Sequence, residues 1–129
     1  MRILLDTSAY SAFMRGDQKS AEIVREADEI CLSIVTLGEL KAGAARGKRQ
    51  KKNDSELKEF LSSPRVRVLP ADMDTSECYS AILIRLWEAG TPIPTNDIWI
   101  AASAMQHGLR LVTGDHHFEK VAQIISIVL

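Results

Sequence analysis

The chain has 129 residues, of which 46% are hydrophobic and 26% are charged, and its formal net charge at pH 7 is −1. This balance is typical of one globular domain, here spanning residues 1–129, and it excludes a mainly disordered chain and a strongly basic nucleic-acid-binding protein. The apolar runs are far shorter than the roughly 20 residues of a membrane span, and no signal-peptide pattern is present, so we expect a cytoplasmic protein with no membrane partner.

Strand patterns and helix patterns alternate along the chain. The predicted strands, which are short and apolar, cover residues 2–6, 29–33, 65–69, 109–113 and 124–128. The predicted helices, with apolar residues three and four positions apart, cover residues 9–15, 19–27, 36–46, 54–61, 73–89 and 98–107, with a helical turn at 116–120. Such alternation predicts βαβ units. We therefore expect a three-layer α/β/α fold with a mostly parallel central sheet of about five strands.

Four acidic residues lie next to predicted strand ends or helix starts. Asp6 ends the first strand, Asp115 follows the fourth, and Glu39 lies in the first turns of the helix after the second. Asp97 opens the helix that leads into the fourth strand, so it lies at the same edge of the sheet as the strand ends. Ligands bind at this edge in α/β folds. We therefore expect all four carboxylates to share one rim.

Asp6, Asp97 and Asp115 also have an ordinary structural explanation, because Asp favours strand-ending turns and the first turn of a helix. Glu39 is the hardest to explain in this way, because its neighbours indicate a half-buried helix. Four carboxylates in one pocket nevertheless repel one another, and a hard divalent cation such as Mg²⁺ or Mn²⁺ offsets that repulsion. No His and Cys spacing indicates zinc, and Cys31 and Cys78 are expected to be free thiols in the core. The pattern therefore predicts metal-assisted hydrolysis of a phosphodiester.

Four segments in this order resemble the motifs of PIN-domain ribonucleases, most closely the VapC-type toxins of toxin–antitoxin modules: L-L-D-T-S, T-L-G-E-L, T-N-D-I-W-I-A-A-S-A and L-V-T-G-D-H-H-F. The resemblance extends from Arg2 to Leu129. It implies a PIN-like fold and a Mg²⁺-dependent endoribonuclease, with Mn²⁺ as the alternative ion. It also implies cleavage of tRNA or ribosomal RNA and inhibition of translation.

The resemblance also implies the roles of individual residues. The catalytic and metal-binding positions correspond to Asp6, Glu39, Asp97 and Asp115, the last being the more variable in importance. Ser8 and Thr113 match small polar positions that support the site by hydrogen bonding.

Three polar residues beside these motif acids are open to interpretation. Asn96 departs from many relatives, and we interpret it as a helix cap, with a contact to substrate as the alternative. We interpret His116 and His117 as exposed or packing residues.

The family resemblance implies a protein partner as well as RNA. That partner is a VapB-type antitoxin whose C-terminal segment lies across a groove, blocks the metal site and inserts a basic side chain among the carboxylates. Homodimers and higher toxin–antitoxin complexes are usual in such families. Tyr10, Phe13 and Met14 form a helical stripe that predicts core packing, with a place along this groove as the alternative.

A basic segment, R-G-K-R-Q-K-K at residues 46–52, lies between two predicted helices. We interpret it as a solvated surface, with contact to the RNA backbone as the alternative. The basic residues of this segment are Arg46, Lys48, Arg49, Lys51 and Lys52.

A second class of function stays open, namely a catalytically silent PIN-like module that binds RNA or a protein partner. The presence of all four acids argues against it. A haloacid-dehalogenase-like phosphatase is disfavoured because it needs a second Asp two residues after the first, where Ser8 stands.

Overall fold

Five parallel strands form the central sheet of the computed structural model, which describes residues 1–129. In chain order the strands are β1 (Arg2–Leu5), β2 (Glu29–Ser33), β3 (Val66–Leu69), β4 (Arg110–Thr113) and β5 (Ser126–Val128). Their order in space is β3-β2-β1-β4-β5, and every neighbouring pair is parallel. The predicted parallel sheet is therefore confirmed.

Six α-helices and one 3₁₀ helix connect the strands. The α-helices are α1 (Thr7–Met14), α2 (Gln18–Glu26), α3 (Ile34–Arg46), α4 (Gln50–Leu61), α5 (Met73–Ala89) and α6 (Thr95–His107), and the 3₁₀ helix covers His116–Lys120. No helix is both long enough and apolar enough to cross a membrane.

Two helices begin several residues before their predicted starts: α6 begins at Thr95 rather than at residue 98, and the difference is larger for α4. Helix α4 begins at Gln50 rather than at residue 54, so the connection after α3 shortens to residues 47–49. The reason is that Gln and Lys are good helix formers, and they extend the helix that the buried Leu57 anchors.

Alternation along β1 builds the two cores on opposite faces of the sheet. Leu4 packs with residues of α5 and α6, whereas Ile3 and Leu5 pack with residues of α1 and α2. All three side chains are fully buried, which removes each from water at a gain of about 1.5–3 kcal/mol. Burial on both faces therefore fixes the central strand and the position where it ends.

The connectivity creates a crevice at the carboxyl ends of β1 and β4. From β1 the chain adds β2 and then β3 on one side, and it later crosses to β4 and β5 on the other side of β1. Helix α6 ends at His107, its C-cap Gly108 has the left-handed φ of +63° that glycine adopts readily, and β4 follows almost at once. The N-terminus of α6 therefore lies at the edge where β4 ends. Ligands bind at such reversals of strand order.

Candidate active site

Asp6 lies directly after β1, and three hydrogen bonds hold its side chain in place. Its Oδ1 accepts hydrogen bonds from the Ala9 backbone N–H at 2.8 Å, which makes it the N-cap of α1, and from Ser8 Oγ at 2.7 Å. Its Oδ2 accepts from Thr113 Oγ1 at 2.5 Å. The residue is only 5% exposed, and this burial raises the pKa of Asp6 although the three hydrogen bonds oppose the shift. The carboxylate is therefore rigid and costly to ionise.

Ser8 and Thr113 join the ends of two strands around this acid. Parallel pairing of Leu5 with Val112 brings the end of β1 beside the end of β4. Ser8 Oγ accepts from the Gly114 backbone N–H at 2.8 Å, and Thr113 Oγ1 accepts from the Asp115 backbone N–H at 2.9 Å. Both hydroxyls thus contact Asp6 and also orient the loop that carries Asp115.

Asp97 and Asp115 approach each other from α6 and from the loop after β4. Asp97 lies in the first turn of α6 with its side chain 19% exposed, and Asp115 is the N-cap of the 3₁₀ helix. Burial raises the pKa of Asp97, and the negative charges of Asp115 and Asp6 raise it further, while His117 opposes the shift. Three of the four predicted acids are therefore close enough to repel one another.

Glu39 lies on α3 and is held between residues adjacent to the other acids. Its Oε1 accepts from Thr7 Oγ1 at 2.7 Å, and its Oε2 accepts from Asn96 Nδ2 at 3.4 Å. Thr7 follows Asp6 in the chain and Asn96 precedes Asp97. Glu39 therefore faces the same crevice, but both Glu39 and Asp6 lie outside the tight group formed by Asp97, Asp115 and His117.

One interpretation of a polar residue was wrong, and a second one was incomplete. Asn96 does not cap α6, since the N-cap is Pro94 and the Asn96 amide donates to Glu39 instead. His117 is not merely an exposed or packing residue, because its Nδ1 lies 3.0 Å from Asp115 Oδ2 and 3.4 Å from Asp97 Oδ2.

His116 is exposed, as interpreted, and its Nδ1 lies 3.1 Å from Glu119 Oε1.

Two residues of the site, Thr7 and His117, were not predicted from the sequence. The available signals were a hydroxyl directly after the first acid and an imidazole two residues after the last one.

A groove of about 370 Å³ lies between α1, α3 and α4 next to Glu39. Its apolar lining includes Tyr10, Met14, Leu40 and Leu57. Phe13 instead packs in the core against Phe60, with ring centroids 6.0 Å apart. Tyr10 is only 6% exposed and also packs edge-on against Phe60, so it lies in the core as predicted and reaches the groove as well. Of the three residues in the helical stripe, Met14 departs from the core prediction and lines the groove.

The basic segment leads into α4, which forms one wall of this groove. Arg46 ends α3, Lys48 and Arg49 lie in the connection, and Lys51 and Lys52 lie in the first turn of α4, all of them exposed. Lys52 lies 3.7 Å from Glu56, and the other four form no ion pair. No side chain caps α4 and its first turn holds no acid, so this helix end carries uncompensated positive charge.

Comparison with known proteins shows which family this chain belongs to. Residues 3–124 match the model of the PIN domain family. The chain belongs to the PIN-domain family. Ribonuclease VapC5 of Mycobacterium tuberculosis is a curated relative of this PIN domain, 30% identical over 124 residues that cover 96% of this chain and 90% of the relative.

Solved structures with a similar fold also include toxin–antitoxin complexes of the VapC type of PIN domain. A DNA-bound VapBC complex from Salmonella typhimurium matches with a TM-score of 0.86 and 27% identity, covering 98% of this chain and 97% of the other. VapBC-5 from Mycobacterium tuberculosis, a member of the VapBC family of toxin–antitoxin systems, matches with a TM-score of 0.76 and 26% identity over 99% of this chain and 98% of the other. The predicted family and fold are therefore confirmed.

The donor set of this PIN domain fits a hard divalent cation. Asp6, Asp97 and Asp115 converge with oxygen donors, and the pKa of Asp6 and of Asp97 is raised by burial. A cation bound among these oxygens offsets the cost of ionising them.

Proposed function

We propose that this PIN domain is the toxin of a type II toxin–antitoxin module, a Mg²⁺-dependent endoribonuclease that hydrolyses RNA phosphodiester bonds and so inhibits translation. The observation that carries the proposal is the convergence of Asp6, Asp97 and Asp115, from β1, α6 and the loop after β4, beside Glu39. The name of the relative Ribonuclease VapC5 supports the reaction class. Because tRNA and ribosomal RNA act in the cytoplasm, we place the protein there.

Each acid has a role in this proposal. Asp6, Glu39 and Asp97 hold Mg²⁺, or Mn²⁺ in its place, and Asp115 orients the attacking water or helps to hold a second ion. A bound divalent ion supplies positive charge that favours water deprotonation and stabilises the charge developing on the phosphodiester.

The hydroxyl and amide groups around the acids have a positioning role. Ser8 and Thr113 fix the Asp6 oxygens, and Thr7 and Asn96 fix those of Glu39. Such fixed carboxylates keep the reacting groups aligned without reorganisation.

The substrate class is structured cytoplasmic RNA, either tRNA or ribosomal RNA, recognised by shape and by its backbone. An acidic crevice repels RNA, so a basic margin is needed to hold the phosphates. The uncompensated charges at the start of α4 supply that margin, and their exposed positions suit backbone contacts. The residues in this role are Arg46, Lys48, Arg49, Lys51 and Lys52.

The partner is a VapB-type antitoxin. Its C-terminal segment lies in the groove between α1, α3 and α4 and reaches Glu39 at the groove lining, where it blocks the acids. The matching structures of VapBC complexes support a toxin–antitoxin assembly, and we propose a toxin homodimer within it.

Replacing Asp97 by Asn tests the proposed reaction. We expect the Asp97→Asn variant to lose RNA cleavage in vitro and growth inhibition on expression, and to keep its fold, because it removes one charge from the cation site. The matched control is Asp74→Asn, which changes an exposed acid in the first turn of α5 and keeps activity. RNA cleavage assays with and without EDTA and circular dichroism measure the outcome. A folded Asp97→Asn variant with unchanged cleavage would contradict the proposal and favour a silent binding module.

Replacing Gly43 by Gln tests the proposed position of the antitoxin. A Cβ added at Gly43 meets no atom of another element within 4 Å, and Gly43 lines the groove, so we expect the longer side chain to extend into the groove without disturbing the fold. We expect at least tenfold weaker binding of the antitoxin encoded by the neighbouring reading frame, measured by calorimetry, with RNA cleavage retained. Gly38 lies on the same helix, meets equally open space and does not line the groove, so Gly38→Gln is the control. Equal affinity of the two variants for the antitoxin would place its segment elsewhere.

A further inference from the structure

His117 is the nitrogen donor of the acidic crevice. Its Nδ1 lies 3.0 Å from Asp115 Oδ2 and 3.4 Å from Asp97 Oδ2. One ligand atom from each of these three residues lies within 4.8 Å of the other two. The imidazole therefore faces two carboxylates that come from separate elements of the fold.

These separations are hydrogen-bond distances, and they are also short enough for the three ligand atoms to bind one ion. Octahedral ligands bound at about 2.1 Å, the usual distance for a small divalent cation, lie about 3 Å from each other at the octahedron's edges. The measured N···O distances of 3.0 and 3.4 Å agree with such an edge to within a few tenths of an ångström.

The backbone holds the imidazole in this position. The His117 N–H donates to Asp115 Oδ1 at 2.9 Å, and the next side chain, Phe118, is 1% exposed in the core. The His117 side chain is itself 45% exposed, so an ion can reach it from solvent. The position is therefore both fixed and open.

His116 gives an internal contrast on the same short helix. Its side chain is 75% exposed and its Nδ1 faces Glu119, an acid outside the crevice. The two consecutive histidines thus differ in what their Nδ1 atoms face, and only His117 faces the crevice acids.

We infer that His117 is a ligand of the second divalent ion, which Asp115 helps to hold beside Asp97, and that its nitrogen makes this position prefer Mn²⁺ to Mg²⁺. The inference rests on the proposed metal-dependent function and deepens it. When the ion is bound, Nδ1 donates its lone pair to the ion, and this bond replaces the contacts of Nδ1 with the carboxylates. The ring proton is then on Nε2. Imidazole binds first-row transition ions well, whereas Mg²⁺ prefers oxygen ligands, so a mixed nitrogen and oxygen set discriminates between the two ions.

Electron spin echo spectroscopy of the Mn²⁺-loaded protein without RNA tests the assignment. We expect ¹⁴N modulation from a directly bound imidazole in the wild type and in His116→Ala, and its loss in His117→Ala. Calorimetry should show Mn²⁺ affinity falling about tenfold or more in His117→Ala, with a smaller change for Mg²⁺. The His117→Asn variant, which supplies an oxygen at this position, gives the same comparison if His117→Ala does not fold.

Two results would overturn the inference while leaving the proposed function in place. One is a wild type that binds Mn²⁺ and cleaves RNA without ¹⁴N modulation, and the other is a His117→Ala variant with unchanged modulation and an unchanged ratio of Mn²⁺ to Mg²⁺ affinity. A wild type that binds neither ion would overturn the proposed function together with the inference.

Discussion

At the scale of single residues, the organising feature is a buried carboxylate that is nearly saturated with hydrogen bonds. Asp6 accepts from Ser8, Ala9 and Thr113, yet burial still raises the pKa of Asp6. Ionised and desolvated groups are costly unless donors or a cation compensate them. The donors fix the geometry of the carboxylate, and the uncompensated part of the cost is what a cation relieves.

Replacing Thr113 by Val removes the donor to Asp6 and keeps the shape of the side chain. Since hydrogen bonds to charged groups contribute about 1.5–3 kcal/mol, we expect a loss of that order in the free energy of unfolding and cleavage slower by about 10–100-fold. Chemical denaturation and single-turnover cleavage measure the two effects.

Thr36→Val is a matched control for this change. Thr36 is as fully buried as Thr113, but its Oγ1 has no hydrogen-bond partner. Its replacement should cost little or stabilise the protein, because no bond is lost. Equal destabilisation by the two substitutions would show that the hydroxyl of Thr113 is unimportant to Asp6.

At the scale of elements, α4 begins with charges that oppose its own dipole. Helix N-termini favour acids, whereas this one carries Lys51 and Lys52 and has no side-chain cap. This arrangement makes α4 less stable than a capped helix would be. Phosphate binding would explain it, because anions complement both the lysines and the free backbone N–H groups.

Replacing Arg49 and Lys51 by Gln tests whether these charges lower the stability of α4 and bind RNA phosphates. We expect the unfolding free energy to change slightly in favour of the variant, by up to about 1 kcal/mol, because like charges leave the positive end of the helix. RNA binding should weaken, with the salt dependence of log K reduced by about 0.7 for each lost phosphate contact. Binding is measured in the Asp97→Asn background, so that RNA stays intact.

Lys58 in the last turn of α4 provides the control. Lys58→Gln should remove a charge that suits its helix end and leave RNA affinity unchanged. If Lys58→Gln weakened RNA binding as much as the double variant, the effect would be one of overall charge rather than of the basic segment.

At the scale of the whole molecule, strand order decides where the acids meet. Crossing from β3 to β4 places the last strands on the far side of β1, so Asp6 and Asp115 meet although they are far apart in sequence. The cost of gathering like charges is then a property of the folded state as a whole. It disappears when the chain unfolds, because the acids separate in water.

The free energy of unfolding should therefore depend on pH and on metal. The pKa of Asp97 is higher in the folded state than the unfolded value of 3.8, so the folded state binds the proton more tightly. Stability consequently falls as pH rises from about 3.8 through the raised pKa. In EDTA at pH 7 we expect Asp97→Asn to be more stable than the wild type, with the difference shrinking toward pH 4.

Mg²⁺ should reverse this order of stability. At about 100 times its dissociation constant, an ion that binds the folded state alone adds about 2.7 kcal/mol to the unfolding free energy, and the variant that lacks a ligand gains less. Denaturant titrations in EDTA and in Mg²⁺ measure both effects. A wild type that gains no more from Mg²⁺ than Asp97→Asn would argue against a cation site at Asp97.

The element order, the parallel sheet and the candidate acids could all be predicted from the sequence, because these features follow from local periodicity and from what terminates each strand or helix. Even α4, predicted four residues short, was recognised from its apolar positions. The motif acids were visible as carboxylates at the sheet edge for the same reason.

The groups that contact those acids, in contrast, could not be predicted from the sequence, because they come from distant parts of the chain. Thr113 donates to Asp6 across 107 positions, Asn96 donates to Glu39 across 57, and His117 faces Asp97 across 20. The first of these contacts depends on the register of β1 against β4, and the other two on how α3, α6 and the loop after β4 meet at the sheet edge. Local propensity cannot supply this information, because it ranks Asn96 as a cap and His117 as a surface residue, while the packing of distant elements turns both toward the carboxylates.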